Sequence, residues 1–404
     1  MNDWLVSKEG ILLRQQVELI FGKPILYSYE CESLSHQIKI TTGLDISAQT
    51  LRRMWGFIKD GVAISKRSEQ IVLKYAGIED ITALRKLEKK DIQLISEEKV
   101  LADFMKQFYD VDAVNEEDIN YQTANYKIFV KVISSEAMLA YLGPYFAKHP
   151  IAQVYFFEKA PYFDGICGSY QLYFKMYLKH KETAEAQLFG NCVLHFASLM
   201  QEKKQDGELL LKTINQIDEN LSSHAFPVAR KVMANLTQGY LNKDQQQIEN
   251  WTKIAFQWHK KVKPSNKRES YFPFYPFVVA DAFNLIGQYE MTLQMIEIAE
   301  LDYMRFKDVA FNNGFYESLD IIKAIALFAV GKKDNAKRML ARIDEANLSF
   351  LTRKYFIIQK KIIELALCTQ TTSKKYINLK KEINDLIQAT GFVFFKQILK
   401  RFSL

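Results

Sequence analysis

The six histidines are His36, His149, His180, His195, His224 and His259. None stands in a His-Glu-x-x-His pair, and none is matched with a cysteine at metal-ligand spacing. Cys31, Cys167, Cys192 and Cys368 are scattered through the chain, as expected for free, buried thiols in a reducing compartment. The run Tyr162 to Ser169 carries Gly165 and Gly168 but no lysine at phosphate-loop spacing, so it reads as a turn into a helix. No nucleophile elbow occurs, and the pair Glu116 and Glu117 sits in an ordinary polar turn. The expectation is a non-enzymatic protein with no catalytic residue, metal ligand or cofactor, whose chemistry is recognition.

Recognition has one concentrated signal. From Ser33 to Trp55 the chain reads helix, glycine-containing turn at Gly43, then a second helix capped by Ser47. Leu34, Ile38, Ile46, Leu51, Met54 and Trp55 supply apolar contacts, and Leu51, Met54, Trp55 and Ile58 share one face of the second helix. Gln49, Thr50, Arg52 and Arg53 then point largely away from that face. The segment resembles a helix-turn-helix, although its turn is longer than the standard three residues. The resemblance implies that the second helix enters the DNA major groove. Arginine suits guanine and glutamine suits adenine, while Lys59, Lys66 and Arg67 are placed to meet phosphates. The pattern Thr42-Gly43, Ile46-Ser47, Thr50 to Arg53 and Trp55-Gly56 also looks like an N-terminal domain of bacterial proteins that often precedes helical repeats. The alternative is a helical docking or capping domain that binds protein and no DNA.

Two further stretches suit recognition. Tyr271, Phe272, Phe274 and Tyr275 stand in a dense aromatic run interrupted by prolines; they can line a peptide groove or pack between neighbouring helices. Basic residues recur at Lys260, Lys261, Lys263, Lys267 and Arg268. Others follow at Arg353, Lys354, Lys360, Lys361, Lys374, Lys375, Lys380, Lys381, Lys396, Lys400 and Arg401. They form either a phosphate-binding surface or solvated helix faces.

The elements that position these residues are helices. Short helices separated by sharp turns are expected over residues 1–90, including one from Ser65 to Gly77 and a short one capped by Asp80. A connecting amphipathic helix and linker, with Ile92, Ile95, Val100, Leu101 and Phe104 as apolar positions, is expected over 91–120. Helix pairs follow over 121–404. Overlaying Gly287 on Gly331 aligns Ala280, Phe283 and Ile286 with Ala324, Leu327 and Val330. Thr292, Met295, Ile296 and Ala299 then align with Ala336, Met339, Leu340 and Ile343. Weaker copies turn near Asn242 to Asp244 and near Gln201 to Gln205. The pairs resemble tetratricopeptide repeats, at a 44-residue glycine spacing longer than the roughly 34 of the standard unit. A non-repeating helical bundle is the alternative. The order of domains is similar to peptide-sensing bacterial transcription regulators. That likeness implies DNA binding in front, with a repeat domain behind it for a peptide or protein and for dimerisation.

Composition agrees with an all-α fold; the resemblances imply a small helix-turn-helix-like domain followed by an α-solenoid of tetratricopeptide-like hairpins. Among 404 residues, glycine (16) and proline (8) are too scarce for many tight β turns. The net charge of +7 permits an acidic partner without demanding one. Residues Met1 to Gly10 lack the pattern of a signal peptide, and no apolar stretch is long enough to span a bilayer. The expected location is the cytoplasm.

Overall fold

The computed structural model describes residues 7–21, 25, 27–78, 80–81, 97–110, 119–218, 225–261, 274–303 and 314–402. Among these residues the regular elements are helical and no strand occurs. No described helix is long and apolar enough to cross a membrane. Two compact units form, one from Met1–Asp112 with Ser135–Tyr141, the other from Ala113–Ser134 with Leu142–Leu404.

In the first unit, α1 (Lys8–Phe21), α2 (Glu30–Thr42), α3 (Ala48–Met54) and α4 (Lys66–Tyr75) enclose one small core. Helix α2 packs on both α3 and α4, and α1 packs on α4. Leu13, Val17, Leu34, Ile38, Leu51, Met54 and Val72 fill the centre. Helix α5 (Glu97–Tyr109) corrects an expectation. Val100 and Phe104 are 72% and 62% exposed, while Ala102, Met105 and Tyr109 are buried. Both stripes are apolar at helical spacing, and the packed face is the one rotated away from Val100. The expected short helix after Asp80 falls outside the described residues, as do Ile92 and Ile95.

The second unit is organised by one turn used four times. Its inner helices are α6 (Ala184–Met200), α8 (Ala225–Asn242), α10 (Phe274–Ile286), α12 (Phe315–Ala329) and α14 (Arg353–Ala366). Each packs on the next. Each is followed by an outer partner: α7 (Lys204–Gln216), α9 (Gln245–Lys261), α11 (Tyr289–Tyr303), α13 (Lys333–Leu340) and α15 (Lys374–Thr390). The first four pairs turn through a left-handed residue: Glu202, Lys243, Gly287 and Gly331. In each turn the next residue's N–H bonds back to the inner helix. The bonds run from Lys203 to Ser198, Asp244 to Gly239, Gln288 to Phe283 and Lys332 to Leu327, at 2.8–2.9 Å. This double-bonded cap satisfies carbonyls that the helix end leaves open. It is the same geometry whether glycine or a charged residue occupies the strained position.

Burial separates the two rows. In α10 every residue from Tyr275 to Ile286 is buried, whereas α9 buries only Ile248 and Ala255. The aligned small residues Ala280, Ala324, Thr292 and Ala336 are all fully buried, which lets paired helices approach closely. The chain itself packs across the ends of the inner row. Phe392, Phe394 and Phe395 are fully buried, ahead of and inside the last helix, α16 (Phe395–Phe402). Phe394 N–H donates to the Met200 carbonyl (3.0 Å), and Gln397 to Glu202 (2.7 Å). Arg401 donates to the hydroxyls of Tyr240 and Tyr289 and to the Leu285 carbonyl, each at 3.1 Å. Phe402 reaches the ring of Phe328. The C-terminal segment thus straps the ends of four successive helix pairs.

Candidate functional site

In the first unit the site is built on a seven-residue helix. Gly43 ends α2 in the left-handed conformation, donating its N–H to Lys39. Ser47 then starts α3, its Oγ accepting the Thr50 N–H at 3.1 Å. Leu51 and Met54 turn into the core, and Trp55 donates from its indole to Glu18 (2.7 Å). Ser35 Oγ donates to the Ile46 carbonyl (2.6 Å), tying the turn to α2. Ser47→Ala is expected to cost the unit about 1 kcal/mol, and Ser47→Asp to restore most of it. Thermal unfolding of the full chain with a tryptophan probe near Trp55 checks this.

The expected readers are not equivalent. Gln49 is exposed, and Thr50 is partly covered, its hydroxyl bonded to Ser47 (2.9 Å). Arg52 is held within the unit, at 2.6 Å from Glu32 and 3.1 Å from the Ser28 carbonyl. Arg53 is clamped on Asp60 at 2.7 Å, an interaction that holds the Asp60 carboxyl below its ordinary pKa. Lys59, Lys66 and Arg67 are exposed, the last two in the first turn of α4 behind its Ser65 cap. From residue 27 to 78 the chain carries seven basic and five acidic side chains. Arg52, Arg53 and Lys39 each neutralise an acid locally.

The aromatic run is placed only in part, since Tyr271 and Phe272 lie outside the described residues. Tyr275 is buried and donates to the Ala255 carbonyl (2.8 Å). Phe274 is half-buried between the rings of Phe226 and Phe315. Phe274 fills space between inner helices α8 and α12, and Tyr275 packs against the outer helix α9. The C-terminal basic residues divide in the same way. Lys360 pairs with Glu345 and Glu364, Lys361 pairs with Glu382, and Arg353 donates to the Ala346 and Leu348 carbonyls. Lys374, Lys375, Lys380, Lys381, Lys396 and Lys400 are exposed. Lys263, Lys267 and Arg268 lie outside the described residues.

A second set of functional groups escaped the sequence. Arg230 of α8 is buried, its guanidinium carbon 4.2 Å from the Phe163 ring centre, 5.0 Å from Phe226 and 5.3 Å from Phe196. Burial lowers its pKa to about 10, opposed by attraction to Asp281, so it stays charged at neutral pH. Asp281 of α10 accepts from the Tyr355 hydroxyl (2.8 Å). Burial pushes its carboxyl up to about 6, against the pull of Tyr355 and Arg230. Asn284 donates to Gln359 alongside (2.9 Å). Nearby, Asp164 accepts the N–H groups of Lys354 and Tyr355 at 2.7 and 3.0 Å, capping α14 from 190 residues away. Burial raises its carboxyl to about 7 although both backbone bonds oppose the rise.

The signal for this centre was present but faint. Asp281 interrupts an apolar run from Phe277 to Phe283, whereas Arg230 stands beside Lys231 between Ala229 and Val232. A charge in such a run is buried only with compensation, but nothing local names its partner. Among the described residues, no three His, Cys, Asp or Glu side chains converge as a metal site. Comparison with protein-family models, curated proteins and solved structures finds no match for this chain.

Proposed function

We propose that the chain is a non-enzymatic cytoplasmic regulator that binds DNA through its first unit. The second unit is a tetratricopeptide-like scaffold for a peptide, a protein or a second copy. What supports the DNA reading is the capped helix α3, laid against α2 with its apolar side inward and Gln49 left in solvent. Gln49 is the base reader in this scheme. Lys59, Lys66 and Arg67 supply phosphate contacts, and Arg52 and Arg53 chiefly hold the helix in place. The scaffold reading rests on the four repeated turns.

A fluorescent duplex titrated with the full-length protein over a range of salt tests the DNA reading. Affinity is expected to fall steeply with salt. The triple variant Lys59→Ala/Lys66→Ala/Arg67→Ala should lower the slope of log K against log salt by roughly three. Arg52→Ala and Arg53→Ala are poorer probes because both side chains hold the unit together. Absence of duplex binding at low salt would sink this reading. It would leave the first unit as a docking module, in keeping with the local neutralisation of its arginines.

A further inference from the structure

The positive charge of the chain is concentrated at its end. Residues 351–404 carry eleven lysines and arginines against three acids, an excess of eight, while the whole chain has an excess of seven. Residues 1–350 are therefore slightly acidic. Within this stretch Lys374, Lys375, Lys380, Lys381, Lys396 and Lys400 are all exposed. None of the six makes an ion pair among the described residues, although lysines elsewhere in the second unit do, as Lys181 with Glu158 and Lys323 with Glu300. Of the two acids on α15, Glu382 is taken by Lys361, which leaves Asp385.

These lysines stand at one end of the second unit. Helices α15 and α16 both pack on α14, and Tyr376 and Leu399 line one shallow groove with Ile362 and Leu365. On α15 the stripe Leu379, Ile383 and Ile387 is buried, so Lys374 and Lys381 look outward with Lys375 and Lys380 on the flanks. Local helix stability does not account for them. Lys374 and Lys375 open α15, where a cation opposes the helix dipole. Lys396 and Lys400 repel each other four residues apart on α16.

We infer that this face is a second, sequence-independent binding surface, and that its ligand is the phosphate backbone of a nucleic-acid duplex. Ile377 is the one large apolar side chain exposed on α15 and α16. That is too little to enter a membrane. A protein interface is a poor fit as well, since lysine is depleted from such surfaces and aromatic or arginine anchors carry them. A duplex needs only dense positive charge. It presents one phosphate charge per roughly 1.7 Å, and the 17 residues of α15 extend about 25 Å. The inference goes beyond the DNA reading of the first unit and stands without it.

The test is titration of a fluorescent DNA duplex with the full-length protein over a range of salt. Wild type is compared with the surface variant Lys374→Gln/Lys375→Gln/Lys380→Gln/Lys381→Gln and with the triple variant of the first unit. The quadruple variant is expected to unfold at the wild-type temperature, to bind at least tenfold more weakly at low salt, and to lower the slope of log K against log salt by about three. An unchanged slope and affinity in that variant would overturn the inference, whether or not the first-unit variant loses binding. A loss confined to the quadruple variant would uphold it and remove the DNA role of the first unit. Phosphatidylserine vesicles and poly-L-glutamate are titrated alongside. Tighter binding to either than to the duplex would overturn it in favour of a membrane or an acidic protein.

Discussion

Arg230→Met lowers the stability of the second unit by up to about 3–5 kcal/mol, the scale of removing the cation that offsets a buried carboxylate; the two groups attract each other without a direct ion pair. Methionine keeps the side-chain bulk against Phe163, Phe196 and Phe226, so the loss is not chiefly one of packing. It comes from Asp281, left as a buried carboxylate without its cation. The effect carries a pH signature. Burial already raises Asp281 to about 6, and removing Arg230 raises it further. A carboxyl raised above its unfolded value favours the fold when protonated, so its contribution is lost as pH rises through the folded pKa. The deficit of the variant is therefore larger at pH 8 than at pH 5. Arg230→Met/Asp281→Asn recovers most of the stability, because both charges are gone and the amide oxygen still accepts from Tyr355. Urea denaturation of wild type, both single variants and the double variant completes the cycle. A double variant as unstable as the two singles added together would show that the charges do not act as a pair.

The difference between what was legible and what was not has a physical basis. Ser47 and Ser65 were readable as caps because a cap is a local event within a few residues of chain. The same holds for Gly287 and Gly331, where glycine marks the left-handed position directly. Glu202 and Lys243 take that position too, but as side chains that tolerate it poorly. Their turns were visible only as weaker copies. The faces of α5 were misread because two apolar stripes compete on one helix, and only tertiary packing selects between them. Arg52 and Arg53 illustrate a different limit. Their orientation away from the core was legible, but their partners Glu32 and Asp60 were not, since a salt bridge depends on where a neighbouring element stops. The centre at Arg230, Asp281 and Tyr355 draws on segments far apart in the chain. Each residue alone reads as an ordinary member of its helix, so its meaning appears only when the inner helices stack. The strap at Phe392 to Phe402 belongs to this class as well. Its aromatic spacing is plain, but only the fold shows that it ties together the ends of successive helix pairs.

His195 supplies the other large effect, and it runs in the opposite sense to Asp281. The imidazole is fully buried on α6, with Nε2 3.1 Å from Gln238 Oε1 on α8. Burial depresses its pKa from 6.5 to about 4, only partly offset by the bond to Gln238. Between those values the unfolded chain binds a proton that the folded chain refuses, so stability rises with pH across that window. Its contribution is complete above pH 6.5 and is lost as pH falls toward 4. The span between 6.5 and about 4 corresponds to about 3 kcal/mol, at roughly 1.4 kcal/mol per pKa unit. Asp281 and Asp164 obscure this in the wild type, because their raised carboxyls make stability fall as pH rises over an overlapping range. The comparison with His195→Gln removes that difficulty, since both proteins share the two aspartates and glutamine can still bond to Gln238. At pH 7.5 the variant carries only the cost of an altered packing. As pH falls from 6.5 to 4 the wild type should lose about 3 kcal/mol relative to it, read as converging and then crossing unfolding midpoints in urea. A constant difference between the two proteins across that range would mean that His195 takes up its proton inside the fold. The inner row of helices would then be far wetter around α6 than its packing indicates.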